Sequence, residues 1–134
     1  MTAEGHCNCK AITVKMPTLP EQTYLCYCSN CRRSGSSAFG ANYFMDRADI
    51  ELLDPKGQLK SYRDSGTKSG NTITRQFCGT CGCPVLTIGA GDSSKVIVKS
   101  GLFDHIPEPA AQQFFTEQKA SWVEFKKLGD KGHA

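Results

Sequence analysis

Hydrophobic positions along this chain come in short alternating runs bounded by glycine, proline, serine and aspartate, and that period of two predicts strands. The expected strands cover residues 11–14, 23–28, 38–44, 58–63, 72–77, 84–88, 95–100 and 114–118. Asp46 is placed to cap a short helical turn, and another turn is expected around Trp122. Residues 65–70 read as an exposed loop and residues 126–134 as a frayed tail. Gly66-Thr67-Lys68-Ser69 has a superficial likeness to a phosphate loop, but the upstream glycine spacing and the following helix are missing. No repeat or low-complexity tract interrupts the pattern. It therefore predicts a single, mainly β domain over residues 1–134, with its core at about 5–125.

Composition is ordinary except for sulfur. With 39% hydrophobic and 22% charged residues, a chain of 134 residues can bury a core of its own but not two. The opening Met1-Thr2-Ala3-Glu4-Gly5-His6-Cys7 has neither a basic start nor an apolar run of signal length. No segment approaches the roughly 20 apolar residues that span a bilayer. The expectation is a cytoplasmic chain, in a reducing setting, with no membrane partner.

Eight cysteines in such a setting call for metal rather than disulfides, because they sit in tight groups: Cys7 and Cys9, then Cys26, Cys28 and Cys31, then Cys78, Cys81 and Cys83. Spacings of one or two residues let one backbone turn aim two thiolates at one ion. Zinc takes four ligands in a closed structural site, or three with an open position in a catalytic one. A zinc shared between Cys7, Cys9, Cys78 and Cys81 would join the N-terminal segment to a distant hairpin and close a long loop. Phe77-Cys78-Gly79-Thr80-Cys81-Gly82 reads as a zinc knuckle, with Gly79 and Gly82 free to take positive φ. Seven thiolates and two zinc ions together would cancel the formal charge of +3, which argues against a nucleic-acid partner.

Three stretches carry a family resemblance. They are Gly5-His6-Cys7-Asn8-Cys9, the run from Cys26 through Cys28, Cys31 and Arg33 to Phe39, and Phe77-Cys78-Gly79-Thr80-Cys81-Gly82-Cys83-Pro84. Phe115-Thr116 and Ser121-Trp122 add a matching C-terminal end. The chain resembles the glutathione-dependent formaldehyde-activating enzyme family, which includes centromere protein V. The resemblance implies an Mss4-like fold of small antiparallel sheets stapled by zinc, with two zinc ions per chain. A structural zinc would fall on Cys7, Cys9, Cys78 and Cys81. A second would fall on Cys26, Cys28 and Cys31, leaving a fourth position for water or a substrate thiol. The implied activity is that of a carbon–sulfur lyase on glutathione adducts such as S-hydroxymethylglutathione.

The residue chemistry agrees with that activity. Three thiolates make a bound zinc a weaker Lewis acid than three histidines would, so it acidifies water less well. A fourth thiol is a better guest, since coordination deprotonates it. Arg32 and Arg33 follow Cys31 and are placed to pair glutathione's carboxylates, or else to form a solvated loop edge. Ser29, Ser34, Ser36 and Ser37 would donate to substrate or simply shape turns. His6, His105 and His133 lack ligand spacing, and Phe39, Tyr43 and Phe44 read as core. Cys83 has two readings: a fourth thiolate that closes the second site, or a buried small residue before Pro84. Against the lyase stand a non-catalytic zinc-stapled interaction module and, least supported, a chromatin or nucleic-acid binder, for which no long basic arm is present.

Overall fold

The structure, a computed structural model, describes residues 2–91, 93–110 and 112–125. Among them, strands run over Ala3–His6 (β1), Thr13–Met16 (β2), Tyr24–Cys26 (β3), Gly40–Asp46 (β4), Glu51–Leu53 (β5), Leu59–Asp64 (β6), Ile73–Cys78 (β7), Pro84–Ile88 (β8) and Lys95–Lys99 (β9). Among the described residues one short α-helix, α1, spans Ser29–Gly35. The strands form two antiparallel sheets, a small one in the order β1-β2-β5 and a large one in the order β3-β4-β9-β8-β7-β6. The chain is mainly β, as the alternating pattern predicts.

Several boundaries differ from expectation for physical reasons. The strand expected at 11–14 slides to β2, because Ile12 belongs to the turn around Cys7: its carbonyl accepts from Cys7 N–H at 3.0 Å. β3 stops at Cys26, because Cys28 caps α1. The strand expected at 114–118 does not form. Phe114 makes an isolated parallel bridge to Cys26, and Thr116–Gln118 is a 3-10 turn entered through Phe115 at φ 55°. The strands β1 and β5 escape the pattern because each is only three or four residues long. The 3-10 turn Arg47–Asp49 does follow Asp46, although that side chain makes no capping bond. Trp122 lies in a turn closed by Val123 N–H to the Ala120 carbonyl, 3.0 Å. Loop residues 65–70 are exposed apart from half-buried Thr67, and the expected tail lies outside the described residues.

The core lies between the sheets. Val14 and Met16 from the small sheet, with Ile12 from the turn before β2, meet Tyr43, Leu86, Val96 and Val98 from the large one. Alternation puts Val96 and Val98 inward, leaving Lys95, Ile97 and Lys99 to the opposite face. A register shift between Gln76 and Phe77 admits both Val85 and Leu86 to this core. Burying each such aliphatic side chain contributes about 1.5–3 kcal/mol, so this interface dominates over any surface contact. A second cluster, Leu25, Tyr27 and Val123, packs with Phe39 near α1. The C-terminal segment covers the β3 edge through hydrogen bonds such as Phe114 N–H to the Leu25 carbonyl, 2.9 Å.

The sheets also meet at Gly5, where β1 passes under the turn after β9. A methyl group there would lie 2.8 Å from the Leu102 carbonyl oxygen and 2.9 Å from the Phe103 ring. Gly5→Ala is therefore expected to lower stability by about 1–3 kcal/mol through overpacking, as read by denaturant unfolding.

Candidate metal centres

Two turns far apart in sequence build the first group of sulfurs. Cys7 and Cys9 lie in the turn from β1 to β2, while Cys78 ends β7 and Cys81 sits in the turn before β8. The four Sγ atoms all lie within 4.8 Å of one another. Sulfurs bound tetrahedrally at ~2.3 Å from zinc stand about 3.8 Å apart. The Cys7–Cys9 and Cys9–Cys78 separations are both 3.7 Å, so the donor set fits that ion. The turns are locked by backbone bonds: Cys78 N–H to the Cys83 carbonyl at 2.9 Å, and Gly82 N–H to the Cys78 carbonyl at 2.7 Å. Gly82 takes φ 77°, the left-handed conformation expected of the knuckle. Ile12 N–H points at the Cys7 sulfur from 3.4 Å. Burial opposes charge at Cys81, but backbone groups of Cys83 and Cys9 and the neighbouring thiols outweigh it and bring its pKa down to about 6. At Cys9 the Ala11 backbone favours the thiolate, yet desolvation and three thiol neighbours push the pKa up to about 11.

The second group is local. Cys26 ends β3, Cys28 caps α1, and Cys31 lies in the first turn of the helix. Their sulfurs also fall within 4.8 Å, with Cys26 and Cys28 at 3.5 Å. Cys31 N–H donates to the Cys28 sulfur at 3.4 Å, so the helix cap and the sulfur cluster are one feature. The hydrogen bond from Cys26 holds the Cys31 pKa down at about 5 against burial, helped by Cys28 and the charges of Lys99 and Arg75. The same bond, with burial, raises Cys26.

Two cations from distant strands face this group. Lys99 of β9 donates to Asn42 Oδ1 at 2.9 Å; desolvation lowers its pKa, while the Cys31, Cys26 and Cys28 sulfurs act the other way. Arg75 of β7 pairs through Nε with Asp64 at 2.8 Å and through Nη1 with Ser34 Oγ at 3.4 Å. Asn30 Nδ2 donates to both Asp64 oxygens at 3.1 Å. Asn30 and Ser34 belong to α1, so this network clamps the helix onto the large sheet. Beside Cys31 opens a cavity of about 240 Å³ lined by Ser34, Phe39, Cys83, Pro84 and Lys99.

The structure places the other sequence candidates as follows. Arg32 turns its Nε to the Tyr27 carbonyl at 3.2 Å and Arg33 is exposed; neither lines the cavity. Cys83 belongs to neither sulfur group among the described residues: its thiol lies 3.6 Å from the Pro84 carbonyl, and burial raises its pKa. Ser34 and Ser37 line the cavity. Of the three aromatics expected in the core, Tyr43 is fully buried, Phe39 lines the cavity, and Phe44 is 48% exposed because alternation turns it to the other face. His6 and His105 are exposed, and His133 lies outside the described residues. Sequence reasoning missed Lys99, Arg75, Asp64 and Asn30. The inward valines of β9 signal that Lys99 faces away from the core, but not that the cysteine helix lies on that side.

A mainly β domain with two cysteine groups placed to hold metal ions defines the class of protein. Residues 2–123 match the family described as glutathione-dependent formaldehyde-activating enzyme, and the chain belongs to that family. The fold is similar to a solved Rhodobacter sphaeroides protein that is 21% identical, with a TM-score of 0.59 over 78% of this chain and 98% of that one. No protein of curated function matches the chain. Among the described residues, no helix is long and apolar enough to cross a membrane.

Asp64→Asn is expected to cost about 3 kcal/mol at neutral pH, because it leaves the buried Arg75 guanidinium without its carboxylate. Denaturant unfolding of the zinc-loaded protein reads this directly. The Arg75 hydrogen bond, opposed by burial and aided by Asn30, holds the Asp64 carboxyl below its ordinary range. Its contribution is thus complete above the unfolded value of about 3.9 and is lost as pH falls through the lower folded value. Wild type and variant should converge only in acid.

Proposed function

We propose that this chain is a zinc-dependent carbon–sulfur lyase that makes or breaks glutathione adducts of the S-hydroxymethylglutathione type. Cys26, Cys28 and Cys31 form its reaction centre, and Cys7, Cys9, Cys78 and Cys81 its structural zinc site. The observation that carries this reading is the asymmetry of the two groups: one offers four sulfurs, the other three beside a cavity. Family membership points to glutathione as the thiol.

Cys26, Cys28 and Cys31 would hold the zinc, which would supply a positive charge that keeps an arriving thiol deprotonated. The electron-rich set of three thiolates suits thiol exchange better than activation of water. Phe39 and Pro84 wall the cavity with apolar surface. Arg75 adds positive charge where a carbonyl oxygen becomes negative. The glutathione sulfur then bonds to the aldehyde carbon, the carbonyl π pair moves to oxygen, and that oxygen takes up a proton. The reverse sequence breaks the carbon–sulfur bond and releases thiol and aldehyde. A reducing compartment such as the cytoplasm keeps the free cysteines in the required state.

Elemental analysis of protein purified without added metal should find two zinc ions per chain. Cys31→Ser should lose one of them, keep the fold and lose glutathione binding, whereas Cys78→Ser should lose folded protein, since structural zinc contributes to folding itself. Glutathione binding should weaken as pH falls, because the arriving thiol must give up its proton. A wild-type protein with both zinc ions but no response to millimolar glutathione or its adducts would favour a non-catalytic interaction module.

A further inference from the structure

The three-sulfur group accounts for the cavity at Cys31 but not for the sheet face beyond it. Strand pairing sets Tyr62 opposite Arg75, Arg75 opposite Thr87, Thr87 opposite Ile97, and Ile97 opposite Phe44. These side chains form a row across β6, β7, β8, β9 and β4. Lys99 lies two residues beyond Ile97 and therefore on the same face. α1 sits on this face, through Asn30 to Asp64 and Ser34 to Arg75, and covers only part of it.

Beside the helix runs a cleft of about 300 Å³ lined by Ser34, Tyr62, Arg75, Gln76, Thr87 and Lys99, with Phe77, Pro84 and Leu86 supplying apolar surface. It shares Ser34, Pro84 and Lys99 with the cavity at Cys31, so the two adjoin. Its cations differ in kind. Arg75 is matched by Asp64, whereas Lys99 donates to the neutral Asn42 side chain and, among the described residues, has no carboxylate partner. Thr87 is an independent sign. It is only 3% exposed and lines the cleft, yet its Oγ1 has no hydrogen-bond partner. The staggered χ1 wells give this hydroxyl other directions in which to find a partner. Tyr62, 58% exposed, gives the outer end a flat aromatic wall.

An ammonium with no carboxylate partner, at the boundary with the cavity at Cys31, and an unmatched hydroxyl in the adjoining cleft call for an anionic acceptor. We infer that this cleft is the carboxylate subsite for a thiol substrate: Lys99 pairs with the carboxylate, Thr87 donates to it, and Tyr62 packs along the atoms linking carboxylate to sulfur. The inference rests on the lyase reading and deepens it by assigning substrate recognition to the β7–β8–β9 face rather than to Arg32 and Arg33.

The test compares two thiols on zinc-loaded protein by calorimetric titration: glutathione, which carries carboxylates, and N-acetylcysteamine, which carries none. Wild type should prefer glutathione. Lys99→Met should weaken glutathione binding by roughly tenfold or more, the worth of a charge-assisted hydrogen bond, and leave N-acetylcysteamine binding and zinc content unchanged. Lys99→Arg should restore most of the preference. If the Met variant does not fold, Thr87→Val, which keeps side-chain shape, should show the same selective loss at smaller size. Equal weakening toward both thiols, loss of zinc, or no change toward glutathione would each show that Lys99 serves the sulfur group instead, and would overturn the subsite. A wild type that binds neither thiol would overturn the lyase reading itself, a different outcome from a wild type that binds both without preference.

Discussion

The structure depends on four sulfurs meeting across the chain. Cys9 and Cys78 are 69 residues apart in sequence and 3.7 Å apart in space. Their groups join the turn of the small sheet to the turn between two strands of the large one. That junction adds a fixed link to the hydrophobic burial that holds Ile12, Val14 and Met16 against Val96 and Val98. A metal ion at this position would close the long loop and make its binding free energy part of the folding free energy. The same junction positions the second site: Gly82, Cys83 and Pro84 follow Cys81 directly, and Cys83 and Pro84 wall the cavity beside Cys31. One centre shapes the other through four consecutive residues.

Charge organises the second centre. Three cysteines, one at the end of β3, one capping α1 and one in its first turn, gather thiols at one point, and two cations on the neighbouring sheet face them. Asp64 and Asn30 keep Arg75 in place while tying the helix that carries Cys31 to the strand that carries Arg75. Lys99 donates to one amide oxygen, that of Asn42, and faces the same sulfurs.

Much of this was legible in the sequence, and the limit has a physical cause. Cysteine spacing reveals ligand groups because one turn must aim two sulfurs at one point. Strand β8 is visible as an apolar run between Pro84 and Gly89, and β9 through the inward valines. The helix α1 is not, because serine, asparagine and glycine are weak helix formers and its cap is a cysteine sulfur rather than one of the usual oxygens. Arg32 and Arg33 drew notice through nearness in sequence, while Lys99 and Arg75 reach the site through pairing of strands far along the chain. Alternation tells which face a residue takes; only the sheet order tells what else lies there.

The central claim is that one sulfur group is closed and the other open to a thiol. X-ray absorption at the zinc edge tests it most directly, since it counts sulfur neighbours around the bound metal. Before ligand is added, the mean should lie between three and four sulfurs per zinc, with a light atom completing the shell. On saturation with glutathione it should rise to four. Four sulfurs per zinc in the ligand-free protein, unchanged by glutathione, would contradict the claim.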